Sequence, residues 1–270
     1  VVEVGFTNRQ HELNTENMGD ESLMLLENLS QIETGRGLLV VGDDKTKAAK
    51  FAASKFKPEI IIIDDGFQHR KLYRDLDILI INPDSPGGLI PAGKMREPRG
   101  NYKRADMLII NNKFDKIPVN ENYKNKPKVI CSYTFEGLLN FENSPPAGYA
   151  GEGATVFCGI GEPLSFRTLI EDLGIKIDEF ITFPDHHAFS NDDILKILSI
   201  FKTKGSKYIL TTQKDFIRIS YSELVLNAKS ENSYKNILYN YPLYYAKIKM
   251  QIDQNSELLF KDIDNLLSTE

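Results

Sequence analysis

Short apolar runs recur along this chain at intervals that leave room for a helix between several of them, and that alternation constrains the fold more than any other feature. Ile60–Ile63, Ile78–Ile81, Met107–Ile110, Thr155–Cys158 and Tyr208–Leu210 are each three or four residues long, which suits strands buried on both faces of a sheet. Strands alternating with helical patterns predict doubly wound parallel α/β sheets. The helix after Gly19 carries Leu23, Leu26 and Leu29 on one side, with Asp20 and Glu21 in its first turn, where the helix dipole favours negative charge. After Ser190, Asp193 completes a capping-box-like start, and Ile194, Ile197, Leu198 and Phe201 form the stripe to be buried. Pro163 suits the opening of a further helix, because its missing N–H has no partner to lose there.

A chain of 270 residues, 41% hydrophobic and 26% charged, can bury one large core or two modest ones. Between the two α/β patterns lies the segment 120–153, rich in Pro, Asn, Gly and Glu, and the domain boundary is expected there. Val129–Phe135 and Leu243–Ile252 alternate in polarity and predict an antiparallel ribbon, after which Ser256–Leu267 returns as a helix. The expected layout is thus a first lobe over 1–128, a linker and ribbon over 129–153, a second α/β lobe over 154–242, and a returning strand and helix over 243–270. No apolar run approaches the roughly 20 residues that span a bilayer, and no signal-peptide pattern opens the chain as given. Cys131 and Cys158 lack C-x-x-C spacing and read as packing thiols of a reducing compartment. A formal charge of −5 gives no support for nucleic-acid binding.

The run Ile60–Ile63 ends in Asp64-Asp65-Gly66-Phe67-Gln68-His69. In parallel sheets ligands bind beyond the carboxyl ends of strands, and adjacent carboxylates at such an edge suit Mg²⁺ on a nucleotide phosphate. The same residues also read as a strand followed by a plain Asp-Gly turn. Asp20 and Glu21 either stabilise a helix start or take part in chemistry. His186 and His187 form a pair, but His11 and His69 stand at no third-ligand spacing, so neither a metal centre nor a metal-dependent hydrolase is expected of them. His187 reads as a structural residue capping the next helix. The basic residues Lys94, Arg99, Lys103 and Arg104 meet an anion or face water, and Lys214 reaches a cleft or caps a strand. Gly159, Gly161 and Pro163 resemble a strand-to-helix turn of the kind that suits anions.

Taken in order, the blocks Gly19-Asp20-Glu21-Ser22, Asp64 to His69, Leu89 to Pro98, Phe157 to Pro163, Phe183 to Phe189 and Thr211 to Asp215 resemble the tetraacyldisaccharide 4'-kinase family, the lipid A 4'-kinases of Gram-negative bacteria. The resemblance runs from about Gly19 to about Asp215; the segment 5–17 does not match. It implies two α/β/α lobes of P-loop-NTPase-like type joined by a β-ribbon, and ATP-dependent phosphorylation of the 4'-hydroxyl of tetraacyldisaccharide 1-phosphate at the cytoplasmic face of the inner membrane. It further implies that Asp20 is the catalytic base, paired with His186 across the cleft between lobes, so that closure assembles the site. Glu21 orients metal-bound water and Arg96 braces the transferred phosphoryl group. Asp64 and Asp65 hold Mg²⁺ with Gln68 and His69 behind them, and Lys94, Arg99 and Lys214 serve the substrates.

The family carries a Walker A loop, and no G-x-x-x-x-G-K-[ST] occurs in this chain, which opens on Val1 in what reads as the middle of a strand. The expectation is a first lobe truncated at its N-terminus. A catalytically inactive homologue that binds the lipid acceptor or a partner without ATP turnover is the alternative.

Overall fold

The structure, a computed structural model, describes residues 2–4, 18–30, 37–83, 89, 97–114, 125–221 and 240–268. In chain order the elements are β1 Val2–Val4, α1 Asp20–Ser30, β2 Leu39–Val41, α2 Lys45–Phe56, β3 Ile78–Ile81, β4 Met107–Asn111, β5 Lys128–Leu139, β6 Gly153–Cys158, α3 Pro163–Asp172, β7 Lys176–Thr182, α4 Asn191–Lys204, β8 Tyr208–Thr212, α5 Gln213–Ser220, β9 Leu243–Gln254 and α6 Ser256–Leu267. Short 3-10 turns occupy Gly66–Gln68 and Arg99–Arg104. The chain divides into two compact units, one made of Gly42–Thr134 with Ile248–Glu270, the other of Val2–Val41 with Phe135–Lys247.

In the first unit β3, β4 and β5 pair in parallel. Because side chains alternate across a strand, β4 feeds two cores. Leu108 and Ile110 pack with Ala105, Phe67, Leu79 and Ile81, while Met107 joins Val129 and Cys131 against Ile252, Leu258 and Leu259. Strands β5 and β9 are neighbours in the sheet, and their contacts run in opposite senses. Asn255 donates to the Lys128 carbonyl, Ser132 bonds Asp253, and Thr134 bonds the Lys249 carbonyl. This is the antiparallel ribbon that the alternation of both segments predicts.

In the second unit β9, β8, β6 and β7 pair side by side and all in parallel. One face of that sheet packs Phe157, Ile209 and Leu243 against Ile194, Ile197 and Leu198 of α4. The other packs Val156 and Leu210 against Phe166, Leu169 and Ile170 of α3. Both helices start as their sequences dictate: Pro163 sits in the first turn of α3, and Ser190 and Asp193 exchange the two hydrogen bonds of a capping box at α4. The antiparallel pair β1 and β2 belongs to this unit. Leu23 of α1, with Met18, Leu39 and Val41, closes over Ile217 of α5, and that packing brings a helix from the start of the chain onto one from its last quarter.

One expected strand does not form. Residues 60–63 have no sheet partner among the described residues, and Ile62 is 90% exposed, with Ile60 at 48% and Ile61 at 40%. A row of isoleucines fits a buried strand only where another strand lies beside it to take up its N–H and C=O groups. Elsewhere the strand and helix readings hold, and the chain is an α/β protein built on a parallel-rich sheet. Among the described residues, no helix is long and apolar enough to cross a membrane. Cys131 and Cys158 are buried free thiols.

Candidate active site

Gly19 takes a left-handed turn at φ 74° and delivers Asp20 to the first position of α1. There Asp20 meets Arg218 of α5: the guanidinium Nε donates to Asp20 Oδ2 at 2.7 Å and Nη2 lies 2.5 Å from the same oxygen. Arg218 continues inward, with Nη1 donating to the Gly159 carbonyl at 2.7 Å and to Asp215 Oδ1 at 2.8 Å. Asp215, at the start of α5, is fully buried and also accepts from the Gly159 amide and the Thr212 hydroxyl. A Cβ on Gly159 would stand 3.1 Å from the Pro184 carbonyl and 3.2 Å from Asp215, so a side chain here would crowd both and push them back by a few tenths of an ångström. Its amide is already taken by Asp215, which removes it from the anion-binding role that the glycine-rich turn suggests.

His186 completes the cluster. Its Nδ1 lies 3.4 Å from Asp20 Oδ2 and 3.3 Å from Arg218 Nη2, and its backbone is left-handed at φ 57°. A non-glycine residue held there stores strain of the kind that collects at functional sites. Lys214 donates to Glu21 at 2.7 Å and stands 3.9 Å from Asp20. Burial alone would raise the Asp20 carboxyl, but the hydrogen bond and charge of Arg218, with Lys214 and His186, outweigh it and hold the group below its ordinary range. Burial prevails at Asp215 and pushes its carboxyl up in spite of Thr212, Gly159 and Arg218. Burial, helped by the Asp215 charge, also raises the Cys158 thiol to about 12, so it stays a protonated packing group. His187 turns away from this cluster: its Nε2 bonds Asp193 of the capping box at 3.0 Å and its ring stacks on Phe183.

Asp20, Glu21, His186 and Lys214 are therefore brought together within one unit, where the expectation placed the Asp–His pair across a cleft between lobes. The reason is that α1 packs on α5 through Leu23 and Ile217, so no closure is needed to join the pair. Arg218 and Asp215 were not among the expected site residues. Their signal lay in Asp215-Phe216-Ile217-Arg218-Ile219, charges three apart inside an apolar stretch, which on a helix face each other.

The second set of acids lies in the first unit. Asp64 and Asp65 are exposed and precede buried Gly66, with Asp65 left-handed at φ 49°. Gly66 packs on Ile63, whose Cγ2 a Cβ would meet at 3.0 Å. The turn is braced from behind. Arg74 donates to the His69 and Leu72 carbonyls while gripping Asp77 with Nε and Nη2, Arg104 lies 4.2 Å over the Phe67 ring, and Lys45 donates to the Asp64 carbonyl. Gln68 and His69 are exposed beside the acids. Glu97 is ion-paired to Arg104 at 2.5 Å and to Arg70 at 3.6 Å. Lys94 and Arg96 lie outside the described residues, as does the side chain of Arg99. Among the described residues no group of three or more His, Cys, Asp or Glu is placed to hold a metal by itself.

A solved structure described as the "apo" form of LpxK from Aquifex aeolicus in complex with ATP is similar in fold, with a TM-score of 0.69 and 29% identity over 95% of this chain and 71% of that one. The class so defined is an α/β kinase, a phosphotransferase. A family model, Tetraacyldisaccharide-1-P 4'-kinase, matches residues 3–267. Among curated relatives, the tetraacyldisaccharide 4'-kinase of Aquifex aeolicus is 34% identical over 83% of this chain and 69% of its own length. That of Chlorobium limicola is 30% identical over 94% and 72%. The chain belongs to the tetraacyldisaccharide 4'-kinase family, the kinases of lipid A biosynthesis.

Proposed function

We propose that this protein transfers the γ-phosphoryl group of ATP to the 4'-hydroxyl of tetraacyldisaccharide 1-phosphate. The observation that carries the proposal is the Asp20–His186–Arg218 cluster, built in a chain that the family model spans almost end to end. Phosphoryl transfer asks for a group that takes the proton of the attacking hydroxyl and for positive charge around the phosphates. Asp20 Oδ2 is occupied twice by Arg218, while Oδ1 accepts only the Glu21 amide among the described contacts. Oδ1 therefore has the lone pair that receives the hydroxyl proton. As the O4'–Pγ bond forms, the bond from Pγ to the β-phosphate oxygen breaks and ADP leaves with its electron pair. His186 beside Asp20 tunes that carboxylate.

The donor chemistry of Asp64 and Asp65 fits Mg²⁺, which binds through one or two carboxylates together with phosphate oxygens rather than in an all-protein cage. When bound, that ion neutralises phosphate charge. Glu21 and Lys214 set the field around Asp20, Arg96 braces the transferred group, and Lys94 and Arg99 serve the anionic acceptor. A lipid acceptor places the enzyme at a membrane surface as a peripheral protein, on the cytoplasmic side where ATP is found.

The test is transfer of labelled γ-phosphate from ATP to the disaccharide acceptor by the intact protein, with Asp20→Asn as comparison. The expected result is a product labelled at the 4' position with wild type and its loss with the variant. Absence of transfer by wild type at any Mg²⁺ concentration overturns the reading.

A further inference from the structure

Arg218 is an expensive residue to bury. Its side chain is only 6% exposed, against 12% for Asp20 and 0% for Asp215. Removing such charges from water costs several kcal/mol each before attraction repays it, and an apolar replacement of similar volume is often at least as stable. Stability is therefore a weak reason for the triad, and its geometry offers a stronger one. A guanidinium has its N–H donors in a fixed plane, and here all three of its nitrogens are engaged. Nε donates to Asp20 Oδ2, Nη2 donates to His186 Nδ1 while lying 2.5 Å from Asp20 Oδ2, and Nη1 donates to the Gly159 carbonyl and Asp215 Oδ1.

We propose that Arg218 is the positioning residue of this site: it occupies Asp20 Oδ2 so that Oδ1, which accepts the Glu21 amide, keeps its other lone pair for the substrate hydroxyl, and it holds His186 in the tautomer with its proton on Nε2. The inference rests on the role proposed above for Asp20. It follows from donor counting, because an N–H aimed at His186 Nδ1 requires a lone pair on that nitrogen. The His186 backbone is left-handed at φ 57°, and its amide donates to Asp185 Oδ1 at 3.0 Å, which sets the position from which the ring reaches Arg218. Asp215 is the anchor: from the buried end, its Oδ1 pins Nη1 while its Oδ2 holds the Gly159 amide. The fork is thereby aimed from the rear before Asp20 and His186 meet it.

Arg218→Gln alone leaves Asp215 as a buried unpaired carboxylate and can unfold the unit. It is therefore combined with Asp215→Asn, and Arg218→Lys serves as the second variant. The first readout needs no catalysis. The chain has four histidines, so long-range ¹⁵N–¹H spectra resolve each imidazole, and His186→Gln assigns the one that matters. Wild type is expected to show His186 Nδ1 unprotonated and Nε2 protonated, and the double variant to lose that preference. The second readout, on the intact kinase, is kcat against KM. The double variant should lose about 100-fold in kcat, the scale of one positioned proton acceptor, with KM for both substrates unchanged. Arg218→Lys, which keeps the charge but not the fork, should recover only part of it. A His186 Nδ1 that is protonated in wild type, or a folded double variant with wild-type spectrum and kcat, overturns the proposal. Full turnover by Asp20→Ala would instead sink the role of Asp20 as base, and the His186 spectrum would still decide whether Arg218 sets the tautomer.

Discussion

Asp20 and Asp64 are both acids at the start of a short structural element, and their surroundings could hardly differ more. Asp20 is gripped by Arg218, flanked by Lys214 and set against His186. Asp64 and Asp65 are exposed on a turn braced by Arg74, Arg104 and Lys45 through its backbone and the Phe67 ring. A proton acceptor needs a field built around it in advance, since its protonation is its function. A pair of carboxylates that shares an ion with phosphate oxygens needs only a rigid backbone beneath it. On the proposed roles, buried charge serves the first task and turn geometry the second.

The contrast breaks most readily at its strongest point. Asp20→Ala or His186→Ala is expected to lower phosphoryl transfer by about two to four orders of magnitude while the far-ultraviolet circular dichroism is retained; near-normal turnover in either would remove the pair from the mechanism. Arg218→Met breaks a buried ion pair and should cost about 3–5 kcal/mol in urea unfolding, whereas Asp64→Asn, on the exposed turn, should stay within about 0.5 kcal/mol and yet lose Mg²⁺-dependent turnover. A comparable loss of stability in both variants would erase the distinction.

Acid titration sharpens it further. Because the folded Asp20 carboxyl lies below its ordinary value of 3.8, its contribution to stability is complete above that value and disappears as pH falls through the lower, folded one. Asp20→Asn should therefore flatten the acid limb of unfolding below about pH 4, as read by tryptophan-free near-ultraviolet signals from tyrosine. Smallest of all, Ile62→Ser should shift the unfolding midpoint by no more than about 0.5 kcal/mol, because its side chain is 90% exposed. A large loss would mean that this run is covered in solution.

The same contrast explains what was legible in the sequence. Ile78–Ile81 and Ser256–Leu267 form a strand and a helix with those bounds, and the capping box of Ser190 and Asp193 is present, because such elements are coded by local periodicity and caps. Ile60–Ile63 misled because a run of isoleucines carries no information about whether a partner strand lies alongside. The pairing of Asp20 with His186 was expected from motifs, but not the fact that one unit holds both, which depends on Leu23 meeting Ile217 far along the chain. Arg218 was missed because its spacing from Asp215 announces a helix-face pair but not the contacts with Asp20 and His186, which only the tertiary packing supplies.

The contact between Arg218 and Asp20 joins residues 198 positions apart, and that separation has a consequence for the protein's birth. At roughly 5–20 residues per second, a ribosome that has released Asp20 needs about 10–40 s to make Arg218. Through that interval the nascent chain carries an acid with no cation to aim it, and the histidine loop joins it only for the last 32 residues. Assembly of this cluster is thus a late event of translation, arriving only when α5 emerges to receive α1.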